Sequence, residues 1–217
     1  AAGLAKSGQL TEGRQVSLGE GPPGSIEDVI RRRGSARRFQ RTPITLDDLD
    51  SILYVATRGI PSDVFGETSP ATSLLFLIVN AVTGLEPGAY LYAPDSHTLQ
   101  LLRPGEFRSD AGYLDLGQEL AADAALNVYI LADLNRVLGA VGDRGYRVAQ
   151  LEASIISGKV YLASYARNLA ATGLTFFDDD VVRFFGRQAA GKSVMFLTAV
   201  GHRAARTAAV EPSPIRL

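Results

Sequence analysis

The sequence predicts an α+β domain in which helices pack around a central sheet, and three observations carry that expectation. Short apolar runs bounded by turn residues read as strands: LLFLIVN from Leu74, ALNVYILA from Ala125 and KSVMFLTAVG from Lys192. Helical periodicity dominates YRVAQLEASIISGKVYLASYARNLA, where Val148, Leu151, Ile155, Leu162 and Leu169 recur at helical spacing. Strands and helices alternate along the chain with no internal repeat and no second core set behind a linker. One core is therefore expected from the 217 residues.

Residues 1–24 are rich in Gly, Ser and Pro and end in GEGPPG, which reads as an extended arm or linker before a domain at 25–217. Because the chain opens on Ala1 rather than Met, a processed or excised piece of a longer protein is expected. Ser25 with Asp28 has capping-box spacing and opens a short helix through IEDVIRRR. Thr45 with Asp48 repeats the device, Ile44 and Leu49 can staple across it, and the helix LDDLDSILYVATR runs to Gly59. After the Leu74 strand, GAYLYA and TLQLLR flank PDSH as a hairpin, with Tyr90 and Tyr92 on one face. LDLGQELAAD reads as a helix before the Ala125 strand, and a short helix follows that strand. The long helix then spans Tyr146 to Asn168, and its small residues Ala149, Ala153, Ser157 and Gly158 would let another helix approach closely, as in a dimer interface. Asp178 is expected to cap a last short helix before the final strand.

Composition narrows the function. Lys and Arg total 22 against 23 Asp and Glu, so no whole-molecule field attracts nucleic acid or an anionic membrane. The apolar runs fall far short of the roughly 20 residues of a membrane-spanning helix. With no Cys, thiol nucleophiles, disulfides and cysteine metal sites are excluded, and a cytoplasmic location is the default expectation.

Several motifs compete for attention. GRQAAGKS, from Gly186 to Ser193, fits the phosphate-loop pattern, but a predicted helix precedes it and a strand follows, the reverse of what such a loop needs. Asp178, Asp179 and Asp180 are better explained by a helix start than by a cation site. His97 and His202 have no ligand-type partner at helical spacing, so neither metal catalysis nor a His-based triad is supported. The strongest feature is RRRGSARRFQR, with six arginines from Arg31 to Arg41 around Gly34 and Ser35. Guanidinium forks beside a hydroxyl and free amides suit a phosphate, although a solvated basic face is the plain alternative in a chain with 19 Arg and 3 Lys.

RRRGSARRF resembles the opening motif of the nitroreductase superfamily of flavin enzymes. GAYLYAPDSHTLQLL, GYRVAQLEA, NLAATGLTFFDDD and VGHRAAR are similar, in that order, to the hairpin, long helix, flavin-contacting turn and basic tail of its SagB-type dehydrogenase branch. The resemblance runs from Ser25 to about Arg206. It implies a nitroreductase-like sandwich with a long central helix at a homodimer interface, and FMN held there without a covalent link. Arg33, Gly34, Ser35, Arg37 and Arg206 would hold the FMN phosphate, while Gly173 and the backbone amides of Thr175 and Phe176 would face the ring. NAD(P)H is the implied reductant of the flavin, and a small-molecule electron acceptor the implied partner.

The chain departs from that branch at three places. PATSLLFL from Pro70 lacks the branch's Ser and Tyr-Pro pair. Ala140 and Val141 stand where its azoline oxidases carry Lys-Tyr, and Ser154 and Ile155 stand where Gly-His is common. Glu152, Tyr146 and Lys192 are polar candidates for acid or base work, but each also has a structural explanation, so no catalytic residue is assigned. The expected function is NAD(P)H oxidation through FMN. The alternative is a degenerate flavin-binding or dimerising domain, half of a tandem nitroreductase-like protein.

Overall fold

The computed structural model describes residues 15–17, 25–59 and 73–205. Its centre is a sheet of eight strands. The strands at its middle, β4 (Ser73–Val79) and β8 (Leu126–Ala132), are the apolar runs of the sequence. Period-two alternation sends Leu75, Leu77 and Val79 of β4 to one face of the sheet, and Phe76 and Ile78 to the other. Both faces are covered, which is why these strands carry almost no polar residues.

The remaining strands extend this pair antiparallel on each side. On one side lie β6 (Gly88–Ala93), β7 (Thr98–Pro104) and the edge strand β1 (Gln15–Ser17). On the other, β10 (Ser193–Arg203) pairs with β8, with β2 (Phe39–Gln40) and with β9 (Ala170–Gly173). Residues 15–17 of the expected arm thus add a strand to the sheet. A small parallel pair, β3 (Ile44–Thr45) and β5 (Val82–Thr83), stands apart.

Helices α2 (Leu46–Ala56) and α6 (Gly145–Ala166) cover the first face, and α3 (Arg108–Leu114) and α7 (Asp178–Phe185) the second. Helix α2 starts as expected: the Thr45 hydroxyl accepts the Asp48 N–H at 3.0 Å and the Asp48 carboxylate accepts the Thr45 N–H at 3.0 Å. Helix α1 (Ile26–Arg32) does not, because the Ser25 hydroxyl donates to Glu27 instead of capping. Of the helix expected at 114–123 only the second half forms, as α4 (Glu119–Asp123); α3 ends at Leu114, and Leu116 and Gly117, with φ values of 58° and 76°, interrupt the chain between them. Helix α5 (Leu134–Val141) follows β8, and α6 stops where Asn168 enters the left-handed region at φ 59°.

The small residues of α6 correct the expectation placed on them. Ala149 and Ala153 are fully buried in the core beneath the sheet face, and Ser157 hydrogen-bonds Thr198 across that packing at 2.8 Å. They let the helix lie close to its own sheet. The outward stripe consists of Leu151, Ser154, Ile155, Gly158 and Leu162, with Leu151 59% exposed.

One irregularity of the sheet positions the site. Strand β10 carries an extra residue between its pairings Val194 with Leu131 and Phe196 with Ile130, a β-bulge. Consecutive Met195 and Phe196 therefore face the same side, toward α6, while Val194 and Leu197 face the other.

Candidate functional site

Beside α6 lies an open groove of about 570 Å³. Its walls are mostly apolar, with Ile30, Ile155, Leu162 and Phe196 among them, but Arg33, Lys159 and Tyr161 also line it. Among the described residues, no carboxylate does. Two cations without a lining anion make this a place for a negatively charged ligand with an apolar body.

The arginine-rich segment reaches the groove through local geometry. Helix α1 ends as Arg33 turns extended at φ −61° and ψ 138°, and the chain then runs to β2 at the edge of the sheet. Ala36, fully buried, donates its N–H to Ala171 of β9 at 2.9 Å and clamps the segment down. With Ala36 inward, the side chains of Ser35 and Arg37 are exposed on either side of it. The register Arg203 with Phe39 brings the last residue of β10 alongside. Its guanidinium donates to the Tyr165 hydroxyl at 2.7 Å and lies 3.5 Å from where a Cβ on Gly34 would stand.

Two of the other arginines have partners elsewhere. Arg41 pairs with Asp123 at 2.6 Å, and Arg32 reaches Asn168 at 3.3 Å. Of the sequence-predicted residues, Arg33, Gly34 and Ser35 therefore gather at one place, and Arg37 stands exposed on the same loop. Arg206 lies outside the described residues. Arg203, from the same VGHRAAR run, is the basic tail residue that meets the loop.

Tyr161 joins this loop to the end of β9. Its hydroxyl accepts the Gly173 N–H and lies 3.4 Å from the Ser35 hydroxyl, while the Arg33 guanidinium stands 5.9 Å from the ring centre. With its oxygen already accepting from Gly173, Tyr161 can donate to Ser35 and leave the Ser35 proton for a ligand. A Cβ at Gly173 would sit 3.1 Å from the Phe196 ring that the bulge directs inward, so any side chain there would require the ring to give way. Beyond it, Leu174 and Phe177 tie their amides to Leu197 and Leu114 at 3.2 and 2.8 Å. Among the described residues, the Thr175 and Phe176 amides between them have no backbone acceptor.

The polar residues considered for acid or base work do not line the groove. Glu152 is buried and accepts the Ser73 hydroxyl at 2.7 Å, and Tyr146 is exposed beside Gln150. Lys192 sits in the turn entering β10, where strand rather than helix follows the GRQAAGKS run and removes its phosphate-loop meaning. Among the described residues, no group of three or more acidic or His side chains is placed to hold a metal ion. Tyr161, Lys159 and Phe196 have no signal of their own in the sequence, whereas Arg203 belongs to the VGHRAAR run in which Arg206 is the residue singled out.

The family model described as the nitroreductase family matches residues 30–202. This chain belongs to the nitroreductase family. A nitroreductase-type protein of Methanocaldococcus jannaschii is 31% identical over 163 residues, covering 73% of this chain and 82% of that protein. Among solved structures, a nitroreductase-type protein of Anabaena variabilis has a TM-score of 0.78 at 28% identity, over 88% of this chain and 42% of its own. This nitroreductase-family chain thus spans about two fifths of the Anabaena chain. One from Ralstonia eutropha shares the fold at a TM-score of 0.70 and 20% identity, over 92% of this chain and 97% of its own. Among the described residues, none of this chain's helices is long and apolar enough to cross a membrane.

Proposed function

We propose that this nitroreductase-family protein binds FMN in the groove beside α6, and that NAD(P)H delivers electrons through it to a small-molecule acceptor. The observation that carries the reading is the linkage of the Arg33–Ser35 loop, through the Tyr161 hydroxyl, to the strand end that presents the Thr175 and Phe176 amides. The donor set fits the cofactor. Guanidiniums of Arg33 and Arg203 and the hydroxyl of Ser35 suit a phosphate dianion, and Arg37 on the same loop can join them. The Thr175 and Phe176 amides, which have no backbone acceptor among the described residues, suit the electron-rich edge of a flat ring, and Phe196, Ile155 and Leu162 offer it apolar surface. The flavin, when bound, supplies the hydride chemistry. The chain's residues bind it, orient it and exclude water from one face.

Titration settles the first step. The purified protein is expected to be yellow or to quench the fluorescence of added FMN, and to release it on denaturation because the chain has no Cys and no suitably placed His for a covalent link. A colourless protein that leaves FMN fluorescence unchanged sinks the reading.

The same proposal includes a homodimer, in a cytoplasmic setting where NAD(P)H is available, and a nearest likeness to the SagB-type branch. Its support is the apolar stripe of Leu151, Ile155 and Leu162 continuing onto Ile30, which is 54% exposed. Gly158 is exposed in that stripe and no described atom lies near its Cβ position, so Gly158→Arg leaves the monomer intact. It is expected to give monomer by light scattering, and an unchanged dimer would put the interface elsewhere. The short span relative to the Anabaena chain favours a second reading, one half of a tandem protein that carries flavin or pairs with an active half. Turnover distinguishes the two, since a carrier binds FMN without consuming NAD(P)H.

A further inference from the structure

Among the described residues, Lys159 is a cation without an anionic partner. It is half-buried in the groove wall, and its ammonium donates to the Gly59 carbonyl at 2.6 Å. An ammonium has three N–H donors, so two remain for a ligand. Among the described residues no carboxylate lies within ion-pair distance of it. Burial holds its pKa below the usual lysine value. Ile155, Gly158, Leu162 and Phe196, which line the same groove, do nothing for a charge. The phosphate chemistry assigned above does not need this group, because Arg33 and Arg203 meet at the Gly34 loop while the Lys159 head is held next to the end of α2.

We propose that Lys159 is the residue that holds the negative charge a bound flavin acquires on reduction. The inference rests on the FMN reading of the groove. A flavin ring that takes up two electrons and one proton carries a net negative charge on its pyrimidine half. A fixed ammonium in an apolar, partly water-excluded wall favours that form over the neutral oxidised one, because charge interactions strengthen as water is removed. The preference appears as a higher midpoint potential, not as tighter binding of oxidised FMN.

The experiment compares wild type, Lys159→Gln, Lys159→Met and Lys159→Arg, each loaded with FMN. Gln keeps a donor for the Gly59 carbonyl without the charge, Met keeps only the packing, and Arg keeps the charge. The expected result is at least a tenfold loss of preference for reduced flavin in the Gln and Met variants. That is a fall of about 30 mV for a two-electron couple. Arg should restore most of it, and affinity for oxidised FMN should change less than threefold. Gln and Met variants that bind FMN at an unchanged potential overturn the proposal while leaving the flavin reading standing. A potential that falls equally in Lys159→Arg overturns it too, since packing and not charge would then be responsible. Failure of the wild type to bind FMN removes the reading beneath it.

Discussion

Replacing Arg33 with Ala is expected to weaken FMN binding tenfold to more than a hundredfold. A hydrogen bond to a charged group contributes roughly 1.5 to 3 kcal/mol, and each 1.4 kcal/mol is about a factor of ten. Arg33 lines the groove, and its loop is fixed by the buried Ala36, so the guanidinium offers its fork without ordering a flexible segment. Arg203→Ala should lose a similar factor, because its guanidinium is held over the Gly34 loop by Tyr165. Arg41→Ala is the control: its partner is Asp123, so FMN affinity should hardly change. Riboflavin lacks the phosphate and should bind all four proteins about equally, more weakly than FMN binds the wild type. Equal losses in Arg33→Ala and Arg41→Ala would reduce the arginine cluster to a solvated basic face.

The second large effect is on stability. Asp115, at the end of α3, is fully buried, and neither carboxylate oxygen has a well-formed hydrogen bond among the described residues. Burial pushes this carboxyl up to about 8, which the nearby Tyr129 hydroxyl offsets only in part. Asp115 is therefore largely protonated in the folded protein at neutral pH but ionised when unfolded. A folded-state pKa above the unfolded one means that unfolding releases a proton between the two values. Stability is then full below the ordinary carboxylate range and falls as pH rises toward about 8, flattening above it. The slope contributed by this one group is on the order of 1.4 kcal/mol per pH unit. Asp115→Asn mimics the protonated form and removes that slope. Urea midpoints at pH 5, 6.5 and 8 should show the variant gaining on the wild type as pH rises, and a constant difference across the three would mean that Asp115 ionises normally.

Features whose cause lies within a few residues could be read from the chain alone. The Thr45–Asp48 cap is closed within one helical turn, the PDSH hairpin within four residues, and the alternation in LLFLIV needs only the two-residue period of a strand. The long helix and its stop near Asn168 belong to the same class. So does the nomination of Arg33, Gly34 and Ser35, which are neighbours in sequence. Even here local pattern has limits, as Ser25 shows by taking the capping-box spacing and turning its hydroxyl to Glu27.

Direction in space was not legible. Ala149, Ala153 and Ser157 are small because α6 lies close to its own sheet, and spacing cannot say whether a small-residue stripe faces a sheet or another helix. Nor can it tell that an added residue in β10 would turn Phe196 toward Gly173, or that the register with Phe39 would bring Arg203 to the Gly34 loop. Tyr161 and Lys159 look like ordinary polar interruptions of a helix until β9 and the end of α2 supply their partners, Gly173 and Gly59. The sequence by itself determined the long strands, the longer helices and the loop that would meet a phosphate, because local sterics and periodicity act over a few residues. Only the tertiary structure decided which groups converge on the groove, because that depends on strand register and helix rotation, which contacts between separate elements of the chain select.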